Sequence, residues 1–346
     1  MYLIDSTLGH NEQARVHPNG NLAWQLEFLK LYGSQPISYS TLQDGLNCYL
    51  KDGVGFASYG THLGYNFVLG GPICSEKTRS AFLKEIIAHL KNPAFVQVDL
   101  ATASILHREF NYKVTQLGVE TFIPMQKYSL QNDPGKRNLR SFLRKGAHVA
   151  QVYELTQAQL ESKFGVTAAH LDAISEAWMA TKTAQTPLKF LVRNVVYADE
   201  PHVRKFYSID KSNNLLGFVF FNPIFVNNNV IGYCADIMRA AAEAPKGHVP
   251  FIVFSALERF KAEGKHTLSL GLSPCADIAR TSFQHEPLTF HLLRFMYRYG
   301  NRLYNFAGIY EHKRQYRAEE RAVFAATSRK LPAFELFAIM RFIGVI

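Results

Sequence analysis

Four segments of the chain place residues able to do chemistry at usable spacings. Gly232-Tyr-Cys-Ala-Asp236-Ile-Met-Arg239 reads as a strand feeding an acid and, three residues on, a base. Such a pair can stand at the mouth of a cleft or form an ion pair that closes the end of a sheet; spacing alone leaves both readings open. In Ser269-Leu-Gly-Leu-Ser-Pro274, Gly271 lets backbone or ligand come close and Ser273-Pro274 breaks a strand, which fits a site or a plain strand terminus. Tyr304-Asn-Phe through Lys313 to Arg317 interleaves aromatics with cations. Rings that stack and guanidinium groups that pair with phosphate suit a polyanion surface, although a solvated helix face has the same composition. The fourth segment runs from Lys136 to Lys145. On a helix, Lys136, Arg140 and Arg144 recur every four residues, while Leu139, Phe142 and Leu143 share another face. It reads as a helix with an apolar seat and a cationic stripe.

The motifs that are missing narrow the chemistry. None of the 13 histidines falls in an H-E-x-x-H arrangement, and there is no G-x-S-x-G elbow, Walker A loop or dinucleotide fingerprint. Their absence argues against a serine-type or metal-type hydrolase, and no metal is expected. The 4 cysteines stand far apart with no C-x-x-C pair, which suits a reducing compartment. Lys plus Arg number 38 against 28 Asp plus Glu, a formal charge of +10, which predicts attraction to nucleic acid, an anionic membrane face or a phosphorylated cofactor. The N-terminus lacks the basic and apolar regions of a signal peptide, and no stretch approaches the roughly 20 apolar residues of a spanning helix. A cytoplasmic chain, at most peripheral at the inner face of the membrane, is the expectation.

The elements that must position these residues alternate between strand and helix. Periodicity predicts helices over Leu22–Tyr32, Ser80–Leu90, Ala169–Ala180, Val249–Glu263 and Leu288–Tyr299. Strands are predicted over Val54–Tyr59, Tyr65–Leu69, Phe95–Leu100, Lys189–Arg193, Val230–Ile237 and Thr267–Leu272, with a hairpin of Arg204–Asp210 and Leu215–Phe221. Strand, strand, helix, strand, helix in both halves predicts a duplicated α/β unit with mixed sheets. A boundary is placed at the basic helix: residues 1–135, a linker over 136–160, and 161–346. The apolar C-terminal stretch, Leu331 to Ile346, is too short to span a bilayer and fits a closing element packed on the protein, or a segment lying on a membrane.

Taken in order, these segments resemble the C-terminal domain of the phosphatidylglycerol lysyltransferases. The matching pieces are Val68-Leu-Gly-Gly-Pro72, Leu117-Gly-Val-Glu120-Thr, Lys136-Arg-Asn-Leu-Arg140, Ile174-Ser-Glu-Ala-Trp178, Phe190-Leu-Val-Arg193 and Val203-Arg-Lys-Phe206, then Asp236-Ile-Met-Arg239, Leu268 to Pro274 and Tyr304 to Lys313. The resemblance implies two tandem GNAT-like domains joined by a basic helix. It implies transfer of an amino acid from aminoacyl-tRNA, a co-substrate with no further cofactor, to a phosphatidylglycerol-like lipid or another hydroxyl or amine acceptor. It places Asp236 and Arg239 on the acid and base of the active-site strand, and Glu120, Arg193, Ser269 and Lys313 in the substrate pocket. Lys136, Arg137, Arg140, Arg144 and Lys145 fall on the family's cationic inter-domain helix, which implies tRNA docking. The multi-helix membrane domain of the larger members is not present in this sequence, so an anionic lipid or a separate membrane protein is the implied partner. An acyl-CoA-dependent GNAT N-acyltransferase is the alternative, but the R-x-x-G-x-G/A loop that cradles pyrophosphate has no good counterpart; Arg144-Lys-Gly146-Ala is a poor one.

Overall fold

A computed structural model of the chain describes residues 15–18, 22–131, 133–180, 190–279, 283, 287–299, 305–328, 338–339 and 341–342. The first half contains β1 (Arg15–Pro18), α1 (Leu22–Tyr32), β2 (Asn47–Lys51), β3 (Gly55–His62), β4 (Tyr65–Leu69), β5 (Ile73–Cys74), α2 (Arg79–His89), β6 (Pro93–Val98), α3 (Leu100–Phe110) and β7 (Lys113–Pro124). The second contains α4 (Arg137–Val149), β8 (Ala150–Glu154), α5 (Gln157–Phe164), α6 (Ala168–Ala180), β9 (Arg204–Asp210), β10 (Leu215–Val226), β11 (Asn229–Ala240), α7 (His248–Ala262), β12 (Thr267–Pro274), α8 (Pro287–Tyr299), α9 (Phe306–Arg314) and β13 (Glu319–Thr327).

All strands belong to one 13-stranded sheet in the order β1-β2-β3-β4-β6-β13-β7-β12-β11-β10-β9-β8, with β5 paired to β3. The order is a repeat read outward from its centre. In each half an antiparallel run ends on a parallel pair, β4 with β6 and β11 with β12. That alternation of meander and parallel crossover, twice over, is the GNAT-like duplication expected from the sequence. The last strand of each repeat is exchanged: β7 of the first half pairs with β12, and β13 of the second pairs with β6. The exchanged strands also pair with each other, from Glu319 opposite Phe122 to Thr327 opposite Lys113.

Local chemistry sets the element ends. Asp99 caps α3 by accepting from the Thr102 N–H at 2.8 Å, so the chain turns from strand to helix there and the predicted strand to Leu100 stops at Val98. Thr156 and Gln159 close a reciprocal capping box on α5, and Gly165 ends it in the left-handed region at φ 69°. Of the predicted strand over Lys189–Arg193, Lys189 lies outside the described residues and the rest is not a strand: Phe190 stands at φ 76°, outside the extended region, and the residues that follow form an irregular loop up to β9.

α7 lies on one sheet face, where Ile252, Val253, Ala256, Leu257 and Phe260 pack against Val219, Phe221, Ala235 and Leu268. α5 and α6 cover the other face of the same strands through Leu160 and Leu171 against Phe218, Phe220 and Ile237. Of the C-terminal stretch, Ala338, Ile339 and Phe342 pack into the core of the first half with Phe67, Leu69 and Val96; apart from Arg341, its other residues lie outside the described ones, as does Tyr304. Among the described residues no helix is long and apolar enough to cross a membrane.

Candidate active site

The parallel pairing of β11 with β12 ends at Cys234 opposite Ser269, and the two strands diverge beyond it. Asp236 stands just past this splay. The ladder between β10 and β11 slips there, with Phe221 opposite Ala235 and Phe220 opposite Ile237, so Asp236 is the extra residue of a β-bulge. In a regular strand, residues three apart point to opposite faces. The bulge corrects this: Ala235 and Met238 face α7, while Ile237 and Arg239 face α6. Asp236 and Arg239 therefore share a face.

Asp236 does not pair with Arg239. Its Oδ2 accepts from Arg193 Nε at 2.8 Å and from Asn222 Nδ2 at 3.0 Å. Arg239 instead lies over the Trp178 ring of α6, its guanidinium carbon 3.9 Å from the centroid. Arg193 is buried and forks to Glu200, with Nη2 to Oε2 at 3.1 Å and a short Nη1 contact to Oε1. Burial alone would weaken its charge, but the hydrogen bonds and negative charge of Glu200 and Asp236 outweigh that and raise its pKa. The loop carrying Arg193 and Glu200 is pinned from both halves. Tyr39 donates to Pro201 O at 2.8 Å, Gln43 donates to Phe190 O at 2.9 Å, and Lys205 Nζ donates to the carbonyls of Val196 and Tyr197 at 2.8 Å each.

Across the splay lies a second group. At Gly271 the pairing of β12 with β7 slips, and φ there is +75°. Ser269 Oγ accepts the Gly271 N–H at 3.0 Å, so this predicted pocket residue secures the bulge. A Cβ on Gly271 would stand 3.7 Å from Lys313 Nζ and 4.0 Å from Cys234 Sγ. Lys313, from α9, is buried and donates to Leu272 O at 2.7 Å. Burial pushes its ammonium down to about 8, against the opposing pull of Cys234 and Glu120. Glu120, on β7, is buried too and accepts from Gln97 Nε2 at 2.8 Å. Burial raises its pKa, countered by Gln97, Lys313 and Arg321. The fold thus gathers Glu120, Arg193, Asp236, Arg239, Ser269 and Lys313 from both halves around one splay. Among the described residues no group of three or more His, Cys, Asp or Glu could hold a metal ion.

The basic helix divides its cations. Lys136 is buried, with Nζ 4.0 Å over the Tyr128 ring and 2.8 Å from Ser129 O; Arg140 donates to Leu130 O at 2.6 Å and Asp133 O at 2.8 Å. These two fasten the preceding loop, and neither belongs to the exposed stripe predicted from i+4 spacing. The exposed cations of α4 are Arg137, Arg144 and Lys145, with Arg137 and Arg144 two turns apart on the face that carries His148. The helix sits on α7, Gly146 under the Phe251 ring and Phe142 against Gly247.

Sequence reasoning gave no role to Glu200, Asn222, Gln97 or Tyr39. A signal existed only for Asn222, a polar residue closing the aromatic run Phe218-Val-Phe-Phe221 on a buried strand. Trp178 was legible as part of a matching segment but not as the platform under Arg239.

The family model for the C-terminal region of phosphatidylglycerol lysyltransferase matches residues 26–327. Phosphatidylglycerol lysyltransferase of Bacillus subtilis (strain 168) is 22% identical over 358 residues, which cover 99% of this chain and 39% of that protein. The chain therefore spans well under half the length of that relative. The structure of L-PGS from Bacillus licheniformis superposes with a TM-score of 0.74 at 16% identity, covering 94% of this chain and 97% of that one. A DUF2156 C-terminal domain from Agrobacterium fabrum gives 0.68 at 16% identity, covering 94% and 96%. Both structures share the fold. With the family match running across both repeats and the splay of β11 and β12, the chain belongs to the phosphatidylglycerol lysyltransferase C-terminal family.

Proposed function

We propose that the chain transfers an aminoacyl group from aminoacyl-tRNA to a hydroxyl of a phosphatidylglycerol-like lipid, at the splay of β11 and β12. The observation that carries this reading is the Asp236 carboxylate, aimed by a bulge, with both described contacts on Oδ2. Oδ1 is left to receive the α-ammonium of the donor amino acid. Arg239, flat on Trp178, is placed to orient the ester. An aminoacyl ester is already activated, so positioning and charge placement are what catalysis requires. Lys313, titrating near 8, supplies a neutral amine to take the proton of the attacking hydroxyl. The new bond joins the lipid oxygen to the carbonyl carbon; the bond to the ribose oxygen breaks, and that oxygen takes the proton back from Lys313. The tRNA body lies against the exposed cations of α4, a salt-sensitive contact.

Against an acyl-CoA donor stands the start of α7. A GNAT acyltransferase cradles pyrophosphate on a helix N-terminus reached by a Gly-rich loop. Here α7 begins after Gly247, and the Phe142 ring of α4 packs against that glycine.

The test supplies a charged tRNA pool bearing radiolabelled amino acids and vesicles containing phosphatidylglycerol, and compares wild type with Asp236→Asn. Label is expected in the chloroform phase with wild type alone. Label in an aqueous product instead would refute the lipid acceptor, and no transfer together with stabilisation by acyl-CoA would refute the tRNA donor.

A further inference from the structure

The outer face of α8 has no role in the chemistry above, yet it exposes two large rings. Phe295 is 59% and Tyr299 57% exposed, one turn apart, with ring centroids 4.8 Å from each other. Arg294 and Arg298 alternate with them, and the Arg298 guanidinium lies 5.4 Å over the Tyr299 ring. The inner face is ordinary core, Leu293 and Met296 packing with Cys275 and Phe306. Through Tyr297 against Tyr310, at 6.4 Å, α8 braces α9, which carries Lys313 into the site.

We propose that α8 is a membrane-docking helix whose outer face lies on an anionic bilayer beside the mouth of the site. The proposal rests on the lipid-acceptor reading above and says how the chain meets its acceptor. Rings and cations in alternation suit an interface: the rings sink to headgroup depth while the arginine stems carry their charges back to lipid phosphates. A 13-residue helix is about 20 Å long, too short to span a bilayer and suited to lying on one. α4 supplies the contrast. It exposes Arg137, Arg144 and Lys145 with no large apolar side chain exposed beside them, the composition a phosphate backbone needs. The stacked stems of a tRNA give the rings of α8 nothing to bind, and its single-stranded end is the nucleic-acid occupant that the tRNA measurement below tests.

Sedimentation of the full chain with vesicles tests this, using mixed phosphatidylglycerol and phosphatidylcholine against phosphatidylcholine alone, with filter binding of tRNA measured in parallel. Wild type is expected on the anionic vesicles and much less on the neutral ones. Phe295→Ser with Tyr299→Ser should weaken anionic-vesicle binding by about tenfold or more. Arg294→Glu with Arg298→Glu should remove the preference for anionic lipid. Leu100→Ser, a similarly exposed position at 58% on α3, should change nothing, and all variants should keep the wild-type melting temperature and tRNA affinity. Wild type failing to bind anionic vesicles, or α8 variants binding them as well as wild type, overturns the proposal. Loss of tRNA affinity in those variants also overturns it and assigns the face to nucleic acid. Vesicle binding is read without turnover, so a chain that docks through α8 but leaves lipid unlabelled refutes the lipid-acceptor reading alone.

Discussion

The two halves carry the same backbone device and put it to opposite uses. In the second half, β11 and β12 part after Cys234 and Ser269; in the first, β4 and β6 part after Leu69 and Val96. Each second parallel strand then has a left-handed residue at the slip of its ladder, Gly271 at φ 75° and Gln97 at φ 62°. Gly271 has no side chain, and Lys313 comes close to the space it leaves. Gln97 sends its amide to Glu120; past the first-half parting Gly70 and Gly71 lie against Ile37 and Thr102, and Phe190, Ile339 and Phe342 join the core of Phe67, Leu69 and Val96. Strand divergence makes a cleft in both places; the residue at the slip and the segment that folds over it decide whether the cleft becomes a site or a core. Under the proposed function, one half does the chemistry and the other holds a wall of it in place.

The comparison can be broken at its charged end first. Asp236→Asn should lower transfer per folded molecule by about 10²–10³-fold, and should also lower the melting temperature, since it removes the carboxylate that pairs with buried Arg193. Lys313→Met should cost about 10²-fold. Its sharper signature is the pH profile. With a pKa near 8, the neutral amine accumulates above that value, so wild-type turnover should rise as pH climbs through about 8 and then level off, and the variant should be flat there. At the packed end, Phe67→Ala removes a ring stacked on Phe342 and should cost about 3–5 kcal/mol in denaturant unfolding while leaving turnover per folded molecule near wild type. Arg137→Glu with Arg144→Glu should weaken tRNA binding by about tenfold at moderate salt and make its salt dependence shallower by about two contacts. Gly271→Ala should be mildest, about 1–2 kcal/mol of strain at a positive φ measured by thermal unfolding, because its methyl group meets only ordinary contacts.

Much of this was legible in the sequence and some was not, for physical reasons. α1 matched its predicted bounds, and the β9–β10 hairpin was placed correctly, because their apolar periodicity is local. Asp236 and Arg239 lie on one strand as the sequence suggested, but their common face depends on a bulge that i+3 spacing does not reveal. Both cations assigned to the α4 stripe and then found holding loop carbonyls, Lys136 and Arg140, failed for one reason. Helical periodicity puts Lys136, Arg140 and Arg144 on one face but does not show that the preceding loop folds back over the first two. β7 and β13 were missed as strands, since each is stabilised by partners far away in sequence rather than by any pattern of its own.

The exchange of those two strands sets a timetable for synthesis. β6 ends with Val98 opposite Phe324, and both partners of β7 lie later in the chain than β7 itself. As the polypeptide leaves the ribosome, the first half emerges without Phe190, Phe283, Phe324 and Ile339, which its cores take from later in the chain, and with the edges of β6 and β7 bare. It must wait for nearly the whole of the second half to be translated before β13 can close it. A nascent chain in that state presents open strand edges to its neighbours. The last strand made therefore completes the part of the protein made first, so a ribosome that stalls before β13 leaves both halves unfinished.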